Sequence, residues 1–328
     1  MPVYVNTNYS ALQGQRYLGN VQNSLTTTYQ RLSSGLRINS AKDDAAGLQI
    51  ADRLTSQING LNQGNRNASD GIALAQTVES GMDEISGMLQ KIRTLTVQAA
   101  NGTNTKEDRA ALSKEATALA TEINRIATQT TFAGKTVLNG MGSSSIFGKD
   151  GGAAGNGQNG TAGKAGKTGT MTLQVGSNKG DIISFNIDSV MFSKIAVEAG
   201  GNKLIGTDKI FATKDTTGAV TVTFTKANFA DATNQEYIGK VIELMDTAIS
   251  NVDGMRAGLG ALQNRLESSI RNQSNVAANE ADARSRIRDA DFAEESANLS
   301  QQSIIQQAAA SMLMQANTRP QLGLSLLG

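Results

Sequence analysis

Residues 54–92, LTSQINGLNQGNRNASDGIALAQTVESGMDEISGMLQKI, decide how this chain folds. Leu54, Leu61, Ala68, Ala75, Met82 and Leu89 recur at strict intervals of seven. A second seam position runs through Ile58 and Ile72, then shifts by one residue to Val78, Ile85 and Ile92. Two apolar positions per heptad make one stripe along an α-helix, and that stripe needs a partner to cover it. The shift falls near Gly71 and Gly81 and predicts a local discontinuity in the heptad packing. The helix is expected to run from about residue 45 to 99 and to stop at Asn101-Gly102.

Working outward, Thr105 with Asp108 forms a capping signal for a helix carrying Leu112, Ala116, Leu119, Ile123 and Ile126, which can double back on its predecessor. Thr233 with Glu236 repeats the capping signal. After it, Ile238, Met245, Val252, Leu259 and Leu266 keep one seven-residue beat, and Val241, Ala248, Met255 and Leu262 the companion beat. The frame continues through Val276, Ala283, Ile287 and Ala290. Near the start, Leu18, Leu25 and Leu32 with Val21 mark an amphipathic helix over 8–38. Near the finish, Ile304, Ile305, Ala308, Ala309, Met312, Leu313 and Ala316 mark another, restarting beyond Asp291-Phe292 and running to about Asn317. An apolar tail, Leu322, Leu324, Leu326 and Leu327, follows Pro320. Closing the two terminal helices on each other would bury Leu18, Val21, Leu25, Leu32, Ile304, Ile305 and Met312. That is too little apolar surface to offset the ordering of both segments, so the pair is expected to be marginal until other subunits cover it.

The middle is different. Met171, Leu173 and Val175 alternate, Gly176–Gly180 turns, and Ile183, Phe185 and Ile187 alternate again, which predicts a β-hairpin. A second pairs 209–213 with Val220, Val222 and Phe224. Residues 140–169 hold eleven glycines in thirty positions and read as an exposed loop, where Ser143, Ser144 and Ser145 are possible sugar acceptors.

Composition narrows the function. The 328 residues contain no His and no Cys, which removes the commonest general base, the thiol nucleophile and most zinc sites. The Gly-rich segment has no GxxxxGK[ST] phosphate cradle. Adjacent carboxylates such as Asp43-Asp44 and Glu294-Glu295 do not share a helix face and read as solvated or helix-end charges. A net charge of +1 gives no bulk attraction to nucleic acid or an anionic membrane, and no apolar run reaches transmembrane length. No cofactor is implied. The N-terminus lacks a cleaved secretory signal, and composition alone points to the cytosol.

The stretch 32–54, LSSGLRINSAKDDAAGLQIADRL, resembles the signature of bacterial flagellins, as do 67–103 and FAGKTVLNG at 132–140. LGALQNRLESSIRN (259–272), ARSRIRDADFAEES (283–296) and QANTRPQLGLSLLG (315–328) resemble the family's C-terminal side. The resemblance implies a mainly α, hairpin-shaped subunit of long coiled-coil helices from both termini with small β-hairpins between them. It implies a terminal filament-core domain (1–42 with 290–328), a rod domain (43–139 with 170–289) and the variable loop 140–169, with no large outer domain. It also implies self-assembly into a hollow, extracellular motility filament after export through the flagellar type III channel. That overturns the cytosolic reading. Filament packing would fall on Leu18, Val21, Leu25, Leu32, Ile304, Ile305, Met312 and Leu313. Partners would be other copies, an export chaperone, cap and junction proteins, and host receptors. By matching position, the innate-immune receptor site would fall on Gln90, Lys91, Leu95, Gln98 and Glu115, with Lys91 where related flagellins commonly carry Arg. The chaperone and inflammasome-sensor segment would fall on Leu322, Leu324, Leu326 and Leu327. A hook–filament junction protein and a secreted adhesin or binding module are the alternatives.

Overall fold

A computed structural model describes residues 8–140, 145–147, 169–192, 194–195, 211–214, 219–222 and 232–325. Among them are five helices: α1 (Tyr9–Ser34), α2 (Ala45–Ala99), α3 (Lys106–Gln129), α4 (Ala232–Arg288) and α5 (Phe292–Ser325). Three antiparallel strand pairs accompany them: β1 (Thr131–Phe132) with β2 (Lys135–Thr136), β3 (Gly169–Gln174) with β4 (Ile182–Ile187), and β5 (Phe211–Lys214) with β6 (Ala219–Val222). The chain divides into two compact units, 1–60 with 275–328, and 61–274.

In the 61–274 unit the heptads close into a core. Leu61, Ala68, Ala75, Met82 and Leu89 of α2 are buried, as are Val78, Ile85 and Ile92, whereas Ile72 is only half-buried. The one-residue shift is therefore physical: beyond it the second seam position turns fully inward. Met245, Val252, Leu259 and Leu266 of α4 are buried, as are Val241, Ala248 and Leu262. Ala116, Ala120, Ile123 and Ala127 supply the buried face of α3. Polar ties on the flanks fix α2 and α4 antiparallel: Arg93 forks onto Asp246, Arg256 Nη2 lies 2.9 Å from Asp83 Oδ1, and Gln263 donates to Glu79 at 2.9 Å.

Three helical glycines explain where the remaining elements sit. A Cβ built at Gly64 would lie 2.1 Å from the Val175 carbonyl oxygen, at Gly71 2.4 Å from Leu173, and at Gly81 2.5 Å from Leu138. Bare backbone on α2 is what lets the β3 end and the segment after β2 lie directly on it. The β3–β4 register pairs Met171 with Phe185 and Leu173 with Ile183, as the alternation indicates. The β5–β6 pair forms with Phe211 opposite Val222; Phe224 and the intervening 215–218 lie outside the described residues. The β1–β2 pair was not read from sequence. Its turn places Ala133 and Gly134 at φ 49° and 77°, the conformation of a tight hairpin turn.

Helix ends follow local chemistry. Thr105 and Asp108 make a reciprocal capping box at α3. The Asp44 carboxylate accepts from Gly47 N at the start of α2, and Asp43 accepts from the Asn39 and Ser40 amides. Gly35, at φ 70°, ends α1, and Asp291 accepts from Ala293 N at the start of α5. Three expectations are corrected. α5 continues past Asn317 to Ser325, so Pro320 does not end the helix. The α4 heptad frame is only partly covered beyond 274: Val276 and Ala283 are exposed, whereas Ile287 is half-buried. Glu295 is not a solvated charge; it is buried against Arg31.

Gly64→Ala and Gly254→Ala should shift stability in opposite directions. At Gly64 the hairpin backbone must move, an overpacking cost of about 1–3 kcal/mol that outweighs the helix-propensity gain of about 1 kcal/mol. At Gly254 nothing lies within 4 Å of the new Cβ, so the gain stands alone. Thermal melts of the two variants should move about 2–4 °C down and up respectively; a Gly64→Ala melt at or above wild type would show that the hairpin is not seated on bare backbone. Acid offers a second check. The Thr105 hydroxyl and amide donate to Asp108 and hold its carboxyl below the ordinary aspartate value. A depressed folded pKa means stabilisation present at neutral pH and lost as pH falls through that folded value, below a pH of about 4. Amide exchange at 106–109 should accelerate there, and a Thr105→Ala variant should have lost most of that pH dependence.

Candidate functional site

The unit 1–60 with 275–328 holds the terminal helices, and its construction differs from the core above. α1 and α5 lie antiparallel. Asn8 Nδ2 donates to Ala316 O at 2.8 Å, Thr28 Oγ1 to Gln302 Oε1 at 3.2 Å, and Arg31 Nη1 to Glu295 Oε1 at 3.1 Å. Beyond the helix ends, Arg37 N donates to Arg288 O at 2.7 Å and Ala290 N to Gly35 O at 3.0 Å, so the breaks after α1 and before α5 are stapled to each other. Gly14 lets Leu313 approach: a Cβ there would sit 3.1 Å from Leu313 Cδ1.

Leu18, Val21, Leu25, Leu32 and Leu313 line the seam of this pair, each half-buried. Ile304, Ile305 and Met312 do not, contrary to the expectation that closing the pair would bury them. Ile304 is 67% exposed, Met312 68% and Ile305 42%, and Met314 is 67% exposed as well. The reason is geometric: Gln302, Gln306, Ala309, Leu313 and Ala316 occupy the face towards α1, and Ile304 lies on the opposite side of the same helix. Tyr9, Leu12, Tyr17 and Tyr29 of α1 are exposed too. The pair therefore zips through small, polar and half-buried side chains and leaves its bulkiest apolar groups outside. Periodicity alone found the apolar positions, but with two apolar stripes on one helix it had no means of telling which stripe faces α1.

Of the residues matched to an immune receptor, Gln90, Lys91, Gln98 and Glu115 are exposed, and Lys91 Nζ lies 3.1 Å from Glu115 Oε1, bringing α2 and α3 together at that patch. Leu95 is 6% exposed and belongs to the core, so it supports the patch from beneath. Ser143 and Ser144 lie outside the described residues. Ser145 is corrected: it is buried, bridged to Thr136, and its hydroxyl accepts from Phe147 N. Leu322 and Leu324 fall in α5; Leu326 and Leu327 lie outside the described residues. Among the described residues no three His, Cys, Asp or Glu side chains group to hold a metal ion, and no helix is long and apolar enough to cross a membrane.

A folded middle flanked by two terminal segments that close weakly and expose apolar faces is the design of an assembling structural subunit. Comparison gives the family. Residues 5–143 match the bacterial flagellin N-terminal helical region, and 242–327 the bacterial flagellin C-terminal helical region. The chain is 39% identical to flagellin D of Vibrio anguillarum and 38% identical to polar flagellin F of Vibrio parahaemolyticus, each over 100% of both chains. A solved flagellar hook-associated protein structure from Vibrio parahaemolyticus covers 75% of this chain and all of its own at a TM-score of 0.53 and 18% identity, a likeness of fold alone. The chain belongs to the bacterial flagellin family, and it is a structural subunit of the extracellular flagellar filament.

The Arg31–Glu295 contact generates a test of the terminal pair. Glu295→Ala strands the half-buried guanidinium and should lower the protection of α1 and α5 amides by the equivalent of about 1–2 kcal/mol, less than for a fully buried pair because Arg31 keeps some water. Replacing both partners, Arg31→Met with Glu295→Leu, should cost less than Glu295→Ala alone. Equal losses in hydrogen exchange would mean the two charges are uncoupled.

Proposed function

We propose that the subunit assembles through the outer apolar faces of α1 and α5, with Leu12 and Tyr17 on one helix and Ile304, Ile305 and Met312 on the other packing against neighbouring copies. The carrying observation is that Ile304 and Met312 are more than half exposed on a helix whose opposite face is already used. Patches of this kind on a soluble chain mark interaction sites. Leu18, Val21, Leu25, Leu32 and Leu313 act one step earlier, by holding the two helices together so that the outer faces are presented side by side.

The remaining roles in this reading come from family membership. The subunit leaves the cell through the flagellar type III channel, escorted by a chaperone on the segment containing Leu322, Leu324, Leu326 and Leu327, and adds beneath a cap beyond the junction proteins. Host receptor recognition uses the patch of Gln90, Lys91, Gln98 and Glu115, with Leu95 beneath it. A Lys at 91 gives a point charge where Arg would give a planar fork, so receptor response should be weaker than for an Arg-bearing relative. The subunit has no catalytic role; a chain with neither His nor Cys lacks the usual acid–base and nucleophilic groups.

Two substitutions separate the steps. Ile304→Asp should leave the monomer's helix content and melting unchanged while abolishing seeded polymerisation, read by sedimentation and electron microscopy. Leu25→Asp should lose α1–α5 protection in the monomer as well as polymerisation. Long filaments from Ile304→Asp would remove the outer face of α5 from the contact.

A further inference from the structure

Of the ten methionines, the eight among the described residues differ in environment. Met82, Met191 and Met245 are buried, and Met88, Met171 and Met255 are half-buried. Met312 and Met314 stand apart, at 68% and 67% exposed. Both lie on α5. Ile305 and Met312, seven residues apart, share one flank of its outer face, and Met314 lies on the other. Met312 also lines a groove with Gly14, Tyr17 and Gln315. The chain has no Cys, His or Trp to intercept an oxidant first, so exposed thioethers are its most readily oxidised side chains.

We infer that Met312 and Met314 are a peroxide-sensitive control on assembly: oxidised in the free subunit, they block its entry into the filament, and once assembled they are shielded. The inference rests on the outer face of α5 being a subunit contact. A sulfur lone pair attacks one oxygen of hydrogen peroxide and the O–O bond breaks. That oxygen stays on sulfur as the sulfoxide, and the other leaves as water after proton transfer. The thioether is oxidised by two electrons and the peroxide is reduced by two. The product replaces a flexible apolar group with a polar, chiral one whose new acceptor must find a donor or be buried without one. On a face that must desolvate to pack, that opposes association, whereas elsewhere on the surface it would be tolerated.

The test uses the full-length monomer treated with hydrogen peroxide, quenched, mapped by peptide mass spectrometry and then seeded. Met312 and Met314 should gain oxygen before the buried methionines, and the critical concentration for polymerisation should rise about tenfold or more. Incubation with a methionine sulfoxide reductase should restore it. The Met312→Leu/Met314→Leu variant, close in volume, should polymerise with or without peroxide. Wild-type monomer carrying both sulfoxides yet polymerising at an unchanged critical concentration would overturn the inference. So would a double variant that peroxide inhibits as strongly as wild type. If the variant does not polymerise at all, reductase rescue of the oxidised wild type decides. Preformed filaments report on the premise: slower oxidation of both residues than in monomer supports a buried α5 face, and oxidation at the monomer's rate removes that face from the contact.

Discussion

Everything in this subunit depends on how completely its helical stripes are covered. Over 61–274, α2, α3 and α4 bring their apolar positions into one core, and the hairpin and the segment around Leu138 add a further layer on glycines of α2. Side chains such as Ile85, Leu89 and Ile92 lose all contact with water there. Each such burial contributes about 1.5–3 kcal/mol, enough to outweigh the propensity cost of helical glycines. Where the covering layers stop, full burial becomes sparse, although the heptad frame continues along the same helices.

The terminal unit shows the reverse condition. Ile38 and Ala51 are its fully buried apolar side chains among the described residues, beside a buried Thr28 and a buried Glu295. Its contacts are directional: an Arg–Glu pair, a Thr–Gln hydrogen bond, an Asn side chain on a backbone carbonyl, and main-chain staples between 35–38 and 287–290. Directional contacts fix register well and supply little net stability, because each replaces a hydrogen bond to water. A pair held this way is oriented more than it is stabilised. That suits the proposed assembly, in which the terminal helices complete their burial against other copies.

The glycines divide on the same principle. Gly64, Gly71 and Gly81 are used inside the chain, where a neighbour occupies the space a Cβ would take. Gly19, Gly87, Gly254 and Gly258 meet nothing of their own chain within 4 Å. Helical glycine is costly, so the first group is accounted for by packing within the subunit, and nothing in the subunit itself accounts for the second.

The sequence by itself determined the helices, the Thr105 cap and most of the core. Strict sevenfold spacing from Leu61 to Leu89 can be satisfied by only one stripe, Thr105 and Asp108 have the chemistry of a capping box, and the 171–187 alternation admits one register with its apolar face inward. The absence of His and Cys likewise limited the chemistry before any fold was known. Tertiary structure alone decided which apolar residues stay outside. Ile304, Ile305 and Met312 are as apolar as Leu313, and only the placement of α1 against the Gln302–Leu313 side leaves them exposed. It also decided that Glu295 is buried while its neighbour Glu294 is not, that Leu95 supports its patch from within, and that Ser145 is closed off. Periodicity reports that a residue can be buried; which neighbour covers it is a long-range fact that no local spacing contains.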